Sequence, residues 1–370
     1  MRAIRRKREL AREYPPPRED YFIKQLSSLL KQKVHDTYPP GKTLRDVHVK
    51  NHGTVIAQFA IEPDLPQDLR LGVFKEFRNY PALVRFSNAN PTVSPDSQKD
   101  VRGMAIKLLG VEGEKLLDDE RHTQDFTTIS YPAFFTKDTE ELYFFTKAFF
   151  KGKLSTLWFF FNPFDLHLSV YKNVTCSPQT TTSVLDIQYW STTPYLFGDG
   201  RAVKYSIRPQ PHHPTRVPED PPECYLRETL AKELTNAPAR FDFMIQFQTD
   251  SEKMPIEDAG KVWSERLSPF LKVATILIPQ QDFDRAAPME FGDNMSYNPW
   301  HSLPDHRPLG SINRARKIAY QEISEFRHRR NDQPRREPTI EDLRLWQCRG
   351  STNLYAEKLG HGSADGNTLP

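Results

Sequence analysis

Apolar positions change period several times along the chain. Residues 21–34 place Phe22, Leu26, Leu29 and Leu30 at helical spacing and predict a short helix. Over 45–61 the pattern becomes strand-like, with Val47, Val49, Val55, Ala57 and Phe59 set against His48, Lys50, Ile56 and Gln58. Further strands are predicted at 82–86 and 103–109, on either side of the turn-rich 88–99, and at 126–129, which Pro132 closes. Four more follow at 186–195, 202–207, 241–248 and 271–278. The aromatic stretch 140–161 reads as helices packed on that sheet, and 209–222 as a proline-rich crossing loop. A last helix is expected over 311–328, capped by Ser311, with Ile312, Ala315, Ala319, Ile323 and Phe326 on its apolar face. The pattern gives one domain over 21–331, between a basic, solvated N-terminal arm (1–20) and a weakly structured tail (332–370).

Composition narrows the function classes. With 51 Lys plus Arg against 48 Asp plus Glu, the net charge of +3 gives no global field for nucleic acid or an anionic membrane. The 31 prolines outnumber 16 glycines, and neither a G-x-G-x-x-G nor a Walker A pattern occurs, which argues against phosphate-loop chemistry. Cys176, Cys224 and Cys348 lie far apart with no C-x-x-C pair, so neither a disulfide framework nor a structural zinc site is expected. The most apolar stretch, 143–164, is broken by Lys147, Lys151, Lys153 and Pro163 and is no membrane span. The N-terminus lacks a secretory apolar core, and Thr368-Leu369-Pro370 is no peroxisomal address, so a cytoplasmic location is expected.

Three segments hold unusual arrangements. Arg45 and His48 begin a strand; alternation puts Arg45, Val47 and Val49 on one face and His48 with Lys50 on the other. His48 then either points into a barrel or is a hydrogen-bonded structural histidine. Arg85 lies between Val84 and Phe86 and, if buried, needs an anionic partner, either a ligand or a protein carboxylate. Arg316 and Tyr320 stand at i, i+4 on the last helix, where a guanidinium lowers the cost of a phenolate suited to ferric iron; simple Arg–Tyr packing is the plain alternative.

Together these segments resemble the heme catalase superfamily. Arg45 to Lys50 matches its R-x-x-H-x-K, Arg85-Phe86-Ser87 its R-F-S strand, Asp100 to Lys107 its D-x-R-G-x-A-x-K, and Arg316 to Tyr320 its R-x-x-x-Y. The resemblance covers roughly residues 14–331 and is greatest to the small branch, which includes minimal bacterial catalase-like proteins and coral allene oxide synthase. It implies an α+β fold: an antiparallel β-barrel with surrounding and C-terminal helices enclosing heme b. It further implies His48 as distal catalytic base, Arg45 and Arg85 at the cofactor, and Tyr320 as iron ligand partnered by Arg316, tyrosine being the catalase ligand in general.

One departure stands out. Ile129 or Ser130 occupies the place of the family's distal asparagine, and Leu142 that of a phenylalanine beside the heme. The expected activity is therefore oxidoreduction of hydrogen peroxide or organic peroxides. Rearrangement or cleavage of a fatty-acid hydroperoxide, or non-catalytic heme binding, are the alternatives. Expected partners are a small peroxide or lipid hydroperoxide, and a homo-oligomer is compatible with the reading; nucleic acid is not expected.

Overall fold

The computed structural model describes residues 8–211 and 216–346. Its centre is a closed antiparallel barrel. The strands are β1 (Asn51–Ile61), β2 (Asn79–Asn88), β3 (Arg102–Leu109), β4 (Thr123–Ile129), β5 (Tyr189–Trp190), β6 (Tyr195–Leu196), β7 (Ala202–Pro209), β8 (Ala239–Phe247) and β9 (Leu271–Ile278). They run in the order β5-β4-β3-β2-β1-β9-β8-β7-β6, and β5 also pairs with β7, which closes a ring of eight strands with β6 outside it. Closure removes the free edges that would otherwise invite further pairing.

The barrel interior is aromatic. Phe126 packs on Phe59, Tyr205 and Phe243 with centroids 5.8, 5.2 and 4.9 Å apart, and all four rings are buried. Each such pair adds about 0.5–1.5 kcal/mol beyond its buried area. Seven of the eight ring strands are legible as alternating or apolar runs. The exception is the region predicted as one strand over 186–195, which holds only the two-residue strands β5 and β6 around a bend at Thr192 with φ 60°.

The helices are α1 (Glu19–Thr37), α2 (Thr139–Lys151), α3 (Lys153–Phe161), α4 (Leu168–Cys176), α5 (Tyr225–Asn236), α6 (Ala286–Asn294) and α7 (Ser311–Arg330). Asp138 caps α2 by accepting from the Glu141 N–H at 3.0 Å. Against expectation, Gly310 rather than Ser311 is the cap residue of α7. The Ser311 hydroxyl instead accepts from the Thr139 N–H at 3.0 Å, tying α7 to the start of α2. The aromatic helices also depart from expectation. α2 packs on α1 and α3 rather than on the barrel, and Phe145, Phe159, Phe160 and Val170 form a small core of their own.

Both terminal segments are docked where they are described. Residues 8–18 form no helix; Glu13 bonds to Arg307, Arg314 and the Gly310 N–H. At the other end, Ile340–Trp346 forms a 3-10 turn, with Leu343 and Trp346 in the main core and the indole N–H donating to Thr54 O at 2.8 Å. The rest of the expected arm and tail, 1–7 and 347–370, lies outside the described residues.

Candidate active site

One cavity gathers residues from all three sequence segments. It encloses about 860 Å³ of empty space, part of it open at the mouth. Its wall includes Arg45, Val47 and His48 ahead of β1, Arg85 and Ser87 on β2, Gly103 to Ala105 on β3, and Thr127 to Ile129 on β4. Asp46, Ser191, Thr192, Ser296, Tyr297 and one face of α7 complete it. On α7, Arg316, Tyr320, Ile323, Ser324 and Arg327 recur at helical spacing, so a single face supplies five lining residues.

His48 does not reach the cavity by strand alternation. Residues 45–50 precede β1, and His48 has φ 56°, a left-handed value that costs a non-glycine residue energy and is held by surrounding bonds. Arg85 supplies two of them, donating to His48 O at 3.0 Å and Val49 O at 3.4 Å. The kink brings Arg45, Val47 and His48 into the same wall. Lys50 instead turns away to Asp96 at 2.7 Å, so the predicted pairing of faces fails.

The imidazole is seated closely. His48 Nδ1 lies 3.0 Å from Ser87 Oγ, and a Cβ added to Gly103 would fall 2.5 Å from the same Nδ1. Only glycine leaves room there. Burial, followed by the charges of Arg85, Arg316 and Arg45, lowers the His48 pKa to about 3, so the ring is neutral at ordinary pH.

Cations dominate the neighbouring wall. Arg45 and Arg327 donate to the carbonyl of Met295, with further bonds from Arg45 to Gly292 O and from Arg327 to Asp293 O. The half-exposed Asp293 carboxylate lies 3.5 Å from Arg85 and 3.9 Å from Arg45. Burial, then like charge, holds the Arg45 guanidinium well below its ordinary range, and burial and Arg85 bring Arg327 to about 10. The buried Nε of Arg85 has no hydrogen-bond partner among the described residues.

On α7, burial raises the Tyr320 phenol, and the Arg316 charge and hydrogen bond pull against it. Arg316 is itself oriented by Thr193 and Asn313 at 3.2 and 3.3 Å, with its guanidinium carbon 5.2 Å from the Phe134 ring centroid.

Solved structures with similar folds include a bacterial catalase (TM-score 0.61, 16% identity, covering 88% of this chain and 64% of that one). A fungal catalase (0.58, 18%, 87% and 65%) and catalase A from Saccharomyces cerevisiae (0.61, 16%, 98% and 81%) are also similar. The chain has the catalase fold. It spans under two thirds of the length of the first two of these catalases. No family model and no curated protein matches the sequence.

Within this catalase-like barrel, Arg45, His48, Arg85, Ile129, Arg316 and Tyr320 share one cavity. Ser130 and Leu142 are not among its lining residues. Ser130 Oγ accepts from the Arg102 N–H at 2.8 Å, and Leu142 packs with Ile23, Leu26 and Ala315 where α1, α2 and α7 meet. Of the two candidates for that position, only apolar Ile129, the last residue of β4, faces the cavity.

Arg327 and Gly103 were given no role by sequence reading. The first was discoverable as the i+7 continuation of the Tyr320 face; the second depends on a long-range contact that no local pattern carries. Arg102 and Lys107 of the catalase-like motif are held in bonds outside the cavity. Arg102 bonds to Asn88 and to Asp96 O, and Lys107 forms a buried group with Glu120 and Asp125. Glu120, Asp125 and His301 present donor atoms within 4.8 Å of one another, but the Lys107 ammonium bonds both carboxylates and already supplies the cation.

Proposed function

We propose that this cavity holds heme b and that the protein acts on peroxides. The observation that carries the reading is the convergence in one cavity of an Arg-partnered phenol, a neutral imidazole with a hydroxyl partner, and the guanidiniums of Arg45, Arg85 and Arg327, with Asp46 in the same wall and Asp293 3.5 Å from Arg85. The residues fit the group. Tyr320 offers a hard anionic oxygen suited to ferric iron, and the guanidiniums of Arg45, Arg85 and Arg327, with the unpartnered Arg85 Nε, offer donors suited to carboxylates. A bound heme would supply the iron at which an O–O bond is broken.

The chain's own residues prepare the proton transfer. Because His48 is neutral, it can accept a peroxide proton. With Nδ1 directed to Ser87, Nε2 is the atom that takes that proton and returns it to the leaving oxygen. Arg316 favours the ionised form of Tyr320, and Thr193 and Asn313 hold Arg316 in place.

Ile129 favours an organic hydroperoxide over hydrogen peroxide. It offers no hydrogen bond to orient a small peroxide, and with Val47, Met104, Ala105 and Ile323 it gives an apolar wall for a hydrocarbon tail. The test begins with the absorption spectrum of purified protein and of Tyr320→Phe. Oxygen release from hydrogen peroxide is then compared with loss of conjugated-diene absorbance from a fatty-acid hydroperoxide. The parent is expected to show a Soret band and faster loss of the lipid hydroperoxide, and Tyr320→Phe to lose both. Retention of the parent spectrum and turnover by Tyr320→Phe overturns the ligand assignment.

A further inference from the structure

α3 is built inside out. Leu154, Leu157, Trp158 and Phe161 recur at i, i+3, i+4 and i+7, the spacing of a buried face, yet all four are exposed, Leu154 by 85% and Trp158 by 62%. The inward side carries Phe159 and Phe160, with the half-buried Ser155 and Thr156. Thr156 spends its hydroxyl on Gly152 O at 3.0 Å.

The apolar surface continues through Phe164, 93% exposed, and Leu166 and Leu168. Ring contacts of Tyr171 with Phe160 and Phe161, at 5.4 and 5.0 Å, join it to α4. These side chains expose on the order of 800 Å² at 150–250 Å² for a large residue, beyond the roughly 300–600 Å² of the largest patch on an ordinary monomer.

The charges along this stretch of the chain have nearly one sign, the buried Glu141 that bonds His167 at 3.0 Å standing just before it. From Leu142 to Val184 the charged residues are Lys147, Lys151, Lys153 and Lys172 against the single Asp165, which lies 3.2 Å from His167 Nε2. All four lysines are exposed. The near-zero charge of the whole chain hides this local surplus.

We propose that the α3–α4 face seats the protein on an anionic phospholipid bilayer, with Trp158, Phe161 and Phe164 at the headgroup boundary and the lysines on lipid phosphates. Exposed Trp, Phe and Leu beside lysines form the pattern of an interfacial helix. No helix among the described residues is long and apolar enough to cross a membrane, so the contact is a surface one. A second copy is a poorer occupant. Lysine is depleted at protein interfaces, and a self-contact through this face would bring two lysine-bearing patches together.

The experiment is co-sedimentation of the full chain with vesicles of phosphatidylglycerol and phosphatidylcholine, and with phosphatidylcholine alone. Binding is expected to the anionic vesicles and to weaken with salt. Joint Leu154→Ser, Trp158→Ser and Phe164→Ser should lower it on the order of a hundredfold. Joint Lys151→Gln, Lys153→Gln and Lys172→Gln should do so to a similar extent, at about fivefold per charge. Every substituted side chain is exposed, so circular dichroism and Tm should stay at parent values. Failure of the parent to bind anionic vesicles, or undiminished binding by the serine variant, overturns the proposal. So does a dimer that the serine substitutions dissolve in a protein that ignores vesicles.

Discussion

Gly103→Ala adds one methyl group at the most confined point of the cavity. The new Cβ would stand 2.5 Å from His48 Nδ1, 2.6 Å from Cε1 and 2.8 Å from Ser87 Oγ, where about 3.5 Å is comfortable. The imidazole must retreat by roughly 1 Å. It has little freedom to do so, because its backbone is fixed at φ 56° and its carbonyl is held by Arg85. The bond between Nδ1 and Ser87 Oγ is therefore the contact that gives way. Overpacking of this kind costs about 1–3 kcal/mol, offset by about 0.5–1 kcal/mol from replacing a strand glycine, so Tm should fall by only a few degrees. Activity should suffer more, since a 1 Å displacement of a reacting group costs on the order of a hundredfold in rate. The assay is turnover of hydrogen peroxide and a fatty-acid hydroperoxide alongside thermal unfolding, with Ser87→Ala as a comparison that removes the partner without crowding. Turnover of both peroxides within about threefold of the parent by Gly103→Ala would refute the placement of His48 as the working base.

Two further outcomes follow from buried charge. Lys107→Met leaves Glu120 and Asp125 without their shared ammonium and should cost about 3–5 kcal/mol, read from the urea midpoint; a midpoint equal to the parent's would contradict the buried triad. Burial depresses His52 to about 4 and His306 to about 3, so both stay neutral in the fold but take up protons near pH 6.5 when unfolded. Their stabilisation is complete above pH 6.5 and is lost as pH falls toward the folded values, at about 1.4 kcal/mol per pH unit for each. His48 and His328, lowered by burial to about 3 and about 4, act in the same direction, and Asp46, raised by burial to about 6, opposes with one proton. The urea midpoint should therefore drop from pH 6.5 to 4, and His306→Gln should flatten that slope; an unchanging midpoint would contradict these buried neutral histidines.

The period-two and period-3.6 patterns carried most of the barrel and α7, because strands such as β9 and the face of Ala315, Ala319 and Ile323 bury what their spacing suggests. They failed where the backbone leaves a regular region. His48 at φ 56° breaks the alternation that would have set it against Arg45, and Thr192 at φ 60° splits a predicted strand. Periodicity also carries no information about which way an apolar face looks, so α3 read as core although its stripe is exposed. Ser130 and Leu142 entered the candidate site through motif position alone. The structure gives one to a backbone bond and the other to a helix junction, which spacing along the chain could not distinguish. The docking of Trp346 on Thr54 joins residues almost at opposite ends of the described chain and left no trace in local composition.

The face that α7 presents has an evolutionary corollary. From Arg316 to Arg327 the helix advances about 16 Å at 1.5 Å per residue, carrying Tyr320 at a fixed fraction of that length, so it works as a ruler with its marks already engraved. Inserting or deleting one residue between Tyr320 and Arg327 would swing one mark about 100° away from the other. Substitutions on the outer side of α7 should accumulate among descendants of this gene, whereas changes of length inside that interval should be purged.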